Sequence, residues 1–204
     1  MSVPIDPLPR AFFESDPPLV ARRLLGQRLV RRVDGELLAG RIVETEAYGA
    51  QHDSTSHAYR GPGGRAAGMF GPVGLAYVYL IYGMHHCLNV VAHEDGDAGA
   101  ILIRALAPET GVERMRERRR GAAPHLIASG PGRLCAALAI DESFNGHDLL
   151  HDSSALILAA GLPVADEEVA AGLRVGVRGT PAHVALPWRF YLRADPNVSP
   201  GRRR

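Results

Sequence analysis

The sequence predicts an α+β fold, a single compact domain built around an antiparallel β-sheet. Three observations predict it. In "QRLVRRVDGELLAGRIVETEAYG" two apolar stretches meet at Asp34-Gly35, a dipeptide that tolerates positive φ at both positions and so closes a tight hairpin. Further on, "HEDGDAG" joins the strand-like stretch 77–91 to "AILIRALAP", which predicts a second hairpin. No repeat, interdomain linker or low-complexity tract divides the 204 residues, so both hairpins belong to one domain, taken as 1–195.

Taken in order, "SDPPLVARRLLG" is a helix signal: Asp16 as N-cap, proline at the first position, apolar residues to Leu25 and Gly26 to stop it. The first hairpin follows, and its second arm delivers Glu44, Glu46 and Tyr48 to its far end. Residues 49–74 are rich in Gly, His, Ser, Arg and Pro without periodicity and predict a long loop, a length that favours a functional role. Strand composition resumes over 77–91 and in "AILIRALAP". Residues 110–120 predict an exposed, arginine-rich helix, and "SGPGRLCAALAI" starts another near Pro131. "LRVGVRG" and "LPWRFYLRAD" are strand candidates, and the basic tail 196–204, "PNVSPGRRR", is expected to be disordered.

Composition narrows the class of protein. With 46% hydrophobic and 22% charged residues the chain reads as globular, and no apolar run approaches the roughly 18 residues needed to span a bilayer. The start "MSVPIDPLPR" lacks the features of a secretory signal, so a cytoplasmic protein without a membrane partner is expected. Cys87 and Cys135 show neither C-x-x-C nor disulfide-scaffold spacing and read as buried, reduced thiols. The net charge is only +1, yet 104–133 holds seven arginines against three glutamates, enough for a local basic face. All 23 basic residues are arginines, so no lysine ε-amine exists for Schiff-base chemistry; only the N-terminal amine could take that part.

Several constellations could carry chemistry. In "ETEAY", strand alternation puts Glu44 and Glu46 on one face, either as solvated carboxylates or as a site where one is tuned as a general base. His52, Asp53 and His57 in "QHDSTSH", with His85 and His86, could furnish a zinc site, but their spacing matches neither H-E-x-x-H nor a C-x-x-C pair, and no metal is expected. In "YVYLIYGM", Tyr77, Tyr79 and Ile81 share a strand face. Tyr77 reads as core, whereas Tyr82 precedes Gly83 at a strand end where a bend can lift it out. "GPG" at 130–132 lies just ahead of a helix, so its amides, with Arg133, could hold a phosphate. The same tripeptide, with Asp148 and Asp152 of "DLLHD", superficially resembles helix-hairpin-helix repair enzymes, a reading that needs a mostly helical chain and conflicts with two β-hairpins.

Read together, "ARRLLGQRLVRR", "GRIVETEAYG", "HDSTSHAYRG", "GMFGPVGLAYVYLIYGMHHCLNVV", "ILIRALAP", "GPGRLCAALAI", "LRVGVRG" and "RFYLR" resemble, in order over residues 20–195, the alkyladenine (3-methyladenine, N-methylpurine) DNA glycosylase family. The resemblance implies a curved antiparallel sheet with surrounding helices and a protruding β-hairpin that inserts into DNA. It implies a monofunctional hydrolase that flips an alkylated, or deaminated, purine out of duplex DNA and cleaves its N-glycosidic bond, leaving an abasic site. By position, Glu46 matches the general base, and Arg104 and the Val175 carbonyl match groups that place the attacking water; Glu44 matches no catalytic position and is a supporting candidate. Tyr48, His57 and Tyr79 match residues that contact the flipped base, where a phenol face over an electron-poor purine is worth about 1–3 kcal/mol. Asn89 matches the group that crowds a purine 2-amino substituent. Tyr82 matches the side chain wedged through the minor groove, with Met84 beside it. Gly130, Gly132 and Arg133 match phosphate contacts. No cofactor is implied, and the partner is double-stranded DNA bound by a monomer. The chain departs from the family pattern at Arg65-Ala66, where Arg-Asn is common, and at His85, where an aromatic follows the wedge. The rival readings are a non-catalytic binder of distorted DNA, which has no use for a water-activating base, and a metallohydrolase.

Overall fold

A computed structural model describes residues 5–201. A short helix α1 (Pro17–Arg23) precedes the hairpin of β1 (Arg28–Val33) and β2 (Glu36–Tyr48). Asp34 and Gly35 close it with φ of 52° and 76°, the geometry the Asp-Gly pair predicts. Asp16 caps α1 by position alone, since its side chain makes no cap bond. The loop 49–74 contains two 3-10 turns, His57–Arg60 and Gly64–Phe70. The stretch 77–91 divides into β3 (Ala76–Ile81) and β4 (His85–Val91) around the turn 82–84, and β5 (Ala100–Thr110) pairs antiparallel with β4.

The arginine-rich helix α2 (Val112–Arg118) starts later than expected. Thr110 still belongs to β5, paired with Ala39, and Gly111 makes the left-handed break between strand and helix. Helix α3 (Pro131–Leu138) packs on β4 and β5. Short strands β6 (Leu156–Ala159) and β7 (Val169–Gly172), a one-turn helix α4 (Pro181–Val184) and β8 (Arg189–Leu192) complete the chain. "LRVGVRG" is a loop, not a strand: Gly176 sits at φ 75°, and the Val175 N–H goes to a carboxylate instead of a ladder.

All pairs among the named strands are antiparallel, and in the open eight-stranded sheet six strands run β3-β4-β5-β2-β1-β6 while β8 pairs with β2 and β7 with β8. One edge of β2 pairs with β5; the other is shared by β1 along its first half and β8 near Glu44–Glu46. Alternation then sorts side chains between two faces. Val78, Leu88, Val90, Ile101, Ile103 and Ala47 enter the main core, with Thr45 bonded to the Ala21 carbonyl of α1. Register pairs place Tyr77 beside Asn89, Tyr79 beside Cys87, and Asn89 and Glu46 beside Leu102, so the opposite face collects the tyrosines and the acidic pair. Cys87 and Cys135 are buried and unbridged.

Within 196–201, expected to begin a disordered tail, Val198 packs against the core and Ser199 is buried against Glu44; a buried carboxylate supplies the reason. The expectation for 202–204 lies outside the described residues. Among the described residues no helix is long and apolar enough to cross a membrane.

Candidate active site

The polar face of the sheet floors a cleft of about 990 Å³. Its walls come from the loop 49–74, the β3–β4 turn, the start of α3, the loop 173–178 and the chain end at Ser199–Pro200.

Glu46 is fully buried, held behind three cleft-lining residues, Tyr48, Arg104 and Val175. Its Oε1 accepts the Val175 N–H at 2.6 Å; its Oε2 accepts the Tyr48 hydroxyl at 2.7 Å and faces Arg104 Nη1 at 3.3 Å. Glu44 lies on the same face, as alternation predicts, although register shifts on both sides of it mark a local irregularity opposite Arg104. It is equally buried and accepts four bonds: Arg104 Nε (2.9 Å), Arg189 Nε (2.6 Å), and the hydroxyl and amide of Ser199 (2.9 and 2.6 Å). The pair is therefore not solvated. Arg104 spans the two carboxylates, and its Nη2 also donates to Ser199 Oγ. Glu44 and Glu46 against Arg104 and Arg189 balance two negative with two positive charges, the condition under which buried ions are tolerated.

These contacts decide protonation. Burial alone raises the Glu44 carboxyl, but Arg104, Arg189 and the Ser199 donors outweigh it and hold the group below its ordinary value. Burial opposes charge on Arg104, yet Glu46 and Glu44 more than offset that and fix it as a cation. Burial, then the neighbouring Glu46, push the Tyr48 phenol well up, so it serves as a neutral donor.

The aromatic residues gather above this floor. The Tyr79 ring meets His57 edge-on at 4.9 Å and lies 5.3 Å from Tyr77. Tyr77 is the core residue the strand pattern predicts, and it does more: its hydroxyl bonds His57 Nδ1 at 2.8 Å and sets that ring. Burial and then Arg65 lower the His57 pKa, so the ring is neutral at physiological pH. Burial pushes the Cys87 thiol, another cleft-lining group, up to about 11, too high for a reactive thiolate. Asn89 is buried, its amide held by the Tyr77 carbonyl at 2.9 Å.

At the cleft mouth the β3–β4 turn carries Tyr82 and Met84, 79% and 70% exposed. Tyr82 adopts φ 55° and Gly83 68°, a strained setting for a tyrosine that lifts its side chain off the sheet. Across from them, Gly130, Gly132 and Arg133 line the cleft. A Cβ on Gly132 would come within 3.0 Å of His85, so this glycine lets the hairpin and α3 close together. Arg119, beyond the end of α2, also lines the cleft beside Arg133, and neither has a carboxylate partner among the described residues. Only their place in an arginine-rich stretch could have flagged Arg119. Asp53, considered above as a metal ligand, binds Arg174 instead, and among the described residues no three His, Cys, Asp or Glu groups are arranged to hold a metal.

Asp53, like Glu44, is held below its ordinary value: burial raises it, but bonds from Arg174 and Thr55 prevail. The unfolded chain therefore binds protons on both groups at higher pH than the folded protein does. The stability they confer is complete above the ordinary carboxylate values of 4.5 and 3.8 and is lost as pH falls through the lower folded values. Thermal melting from pH 7 down to pH about 2 should show a steep acid-side loss, and Glu44→Gln should flatten part of that slope; an unchanged slope contradicts the assignment.

The segments that build this cleft fall within a match to known proteins. The family model described as Methylpurine-DNA glycosylase matches residues 11–196. A Carboxydothermus hydrogenoformans protein named as a 3-methyladenine DNA glycosylase is 47% identical over 94% of this chain and 98% of its own length. Proteins of that name from Koribacter versatilis and Myxococcus xanthus are 47% and 42% identical, over 95% and 97% of this chain and 93% and 97% of their own. Because the match runs from α1 through the acidic pair, the cleft loops and the last strand, the chain belongs to the methylpurine-DNA glycosylase family.

Proposed function

We propose that this protein is a monofunctional DNA glycosylase that rotates alkylated, and also deaminated, purines out of duplex DNA and hydrolyses their N-glycosidic bond. The observation that carries this reading is Glu46: a carboxylate buried beneath an aromatic cleft, held by two hydrogen bonds and by the Arg104 ion pair. A protein that only bound distorted DNA would gain nothing from so costly a group.

In this reading the damaged base enters between Tyr48 on one side and Tyr79 with His57 on the other, each phenol offering an electron-rich face. Asn89, fixed by its own bond to the strand, crowds the position of a 2-amino group and so disfavours guanine. Tyr82, with Met84, fills the space the base leaves in the minor groove, and Gly130, Gly132, Arg133 and Arg119 meet backbone phosphates. As the C1′–N bond lengthens, the sugar gains positive charge, which the Glu46 carboxylate favours. A water held by Glu46, with Arg104 and the Val175 carbonyl beside it, attacks C1′; the C1′–O bond forms, Glu46 takes the proton, and the bonding electrons leave with the purine. No lysine is present to attack the resulting abasic sugar, so the strand stays uncut. The protein works as a monomer on DNA, in the cytoplasm or on the nucleoid, without metal or cofactor.

Glu46→Gln keeps the size of the side chain and removes the base. It should lower single-turnover release of 3-methyladenine from duplex DNA by roughly 10²–10⁴-fold while lesion binding persists; retained turnover would refute the general-base role. Tyr82→Ser removes the wedge. Its affinity for lesion-containing duplex should fall by roughly tenfold, about 1.4 kcal/mol, in fluorescence titration, and unchanged affinity and release kinetics would count against insertion.

A further inference from the structure

One buried ion pair lies behind the cleft and has no part in the scheme above. The side chains of Arg174 and Asp53 have no exposed surface. Arg174 Nη1 donates to Asp53 Oδ2 at 2.5 Å and to the Ala47 carbonyl at 2.9 Å, and its Nη2 donates to Asp53 Oδ1 at 3.0 Å and to the His183 carbonyl at 2.8 Å. The guanidinium also lies over two rings, with centroids 5.0 Å away for Tyr48 and 5.1 Å for Trp188. Arg174 is not among the residues that line the cleft, and both edges of its guanidinium are taken up by Asp53 and backbone carbonyls.

We propose that Arg174, clamped by Asp53, is the positioning residue that fixes the base-stacking platform and the Glu46 carboxylate relative to each other. Three connections carry this. The face of Tyr48 against Arg174 cannot move without breaking the cation–π contact, while the Tyr48 hydroxyl is tied to Glu46. The residue after Arg174 is Val175, whose N–H holds the other Glu46 oxygen. Asp53 in turn accepts from the Gly49 amide and from the amide and hydroxyl of Thr55, bracing the loop that carries His57. One guanidinium thus sets both walls of the base slot and one ligand of the catalytic carboxylate.

Stability alone does not account for the arrangement. Arg174 Nε is buried without a hydrogen-bond partner, a destabilising feature, and a buried ion pair is often no better for stability than apolar residues of the same volume. What the fork and the stack add is geometry, since arginine alone combines a planar bidentate donor with a flat face for two rings.

The inference rests on the glycosylase reading, and wild-type release of 3-methyladenine from duplex DNA is the control for it: if the wild type releases none, that reading fails rather than this one. Given wild-type activity, Arg174→Ala should slow single-turnover release roughly 100-fold, the scale of a misplaced reacting group, while its affinity for a duplex with a stable abasic site, which has no base to stack, stays at the wild-type value. Added guanidinium ion should restore part of the rate, and Arg174→Lys, with charge but no fork, should stay slow. A folded Arg174→Ala protein that releases base at the wild-type rate, or that loses abasic-site binding in step with rate, overturns the proposal, as does the absence of guanidinium rescue. Where Arg174→Ala does not fold, Arg174→Lys and Asp53→Asn decide: slow release with intact abasic-site binding supports the role, and wild-type release or parallel loss of binding refutes it.

Discussion

Glu44 and Glu46 place two carboxylates two residues apart on a strand where neither has any surface open to solvent. An unpaired buried carboxylate costs several kcal/mol, so every oxygen must be met by a donor. Arg104 from the neighbouring strand serves both, Arg189 and Ser199 complete Glu44, and Tyr48 and Val175 complete Glu46. Much of the architecture near the site answers this requirement. Strand β8 runs alongside β2 at Glu44–Glu46 and brings Arg189 to it, the segment after β8 brings Ser199 to Glu44, and the loop after β7 turns its amide towards Glu46.

The division of labour between the two acids follows from their donors. Glu44 accepts four bonds, three on Oε1 and one on Oε2, that tie Arg104, Arg189 and Ser199 together, so it is a structural anchor. Glu46 receives one hydrogen bond on Oε1 and one on Oε2, with the Arg104 ion pair beside the latter, so it is held by fewer bonds than Glu44. A network so fully satisfied also keeps its members in one geometry, and this is the property a hydrolytic site needs when the reacting water and the sugar must meet within a few tenths of an ångström.

Local chemistry made much of this legible in the sequence. Asp34-Gly35 specified a turn, the period-2 pattern sorted Tyr77 and Tyr79 from Val78, and Gly83 marked the bend that exposes Tyr82. What escaped were features decided by partners far along the chain. "LRVGVRG" has strand-like composition, but a buried glutamate 129 residues away claims its amide. "PNVSPG" reads as a disordered tail because nothing local shows that Ser199 supplies two of the donors of Glu44. Asp53 resembled a metal ligand among histidines, since the arginine that neutralises it lies 121 residues away. Arg119 was hidden in a run of arginines whose individual directions only the fold decides.

The central claim is that a glutamate-activated water, and no amine, displaces the base. Single-turnover reaction of an alkylated duplex, with borohydride present in a parallel sample and the DNA products weighed by mass spectrometry, reads this directly. The account predicts an intact strand carrying an abasic site and no protein–DNA adduct trapped by borohydride. A trapped covalent adduct, or strand cleavage at the abasic sugar, would contradict it.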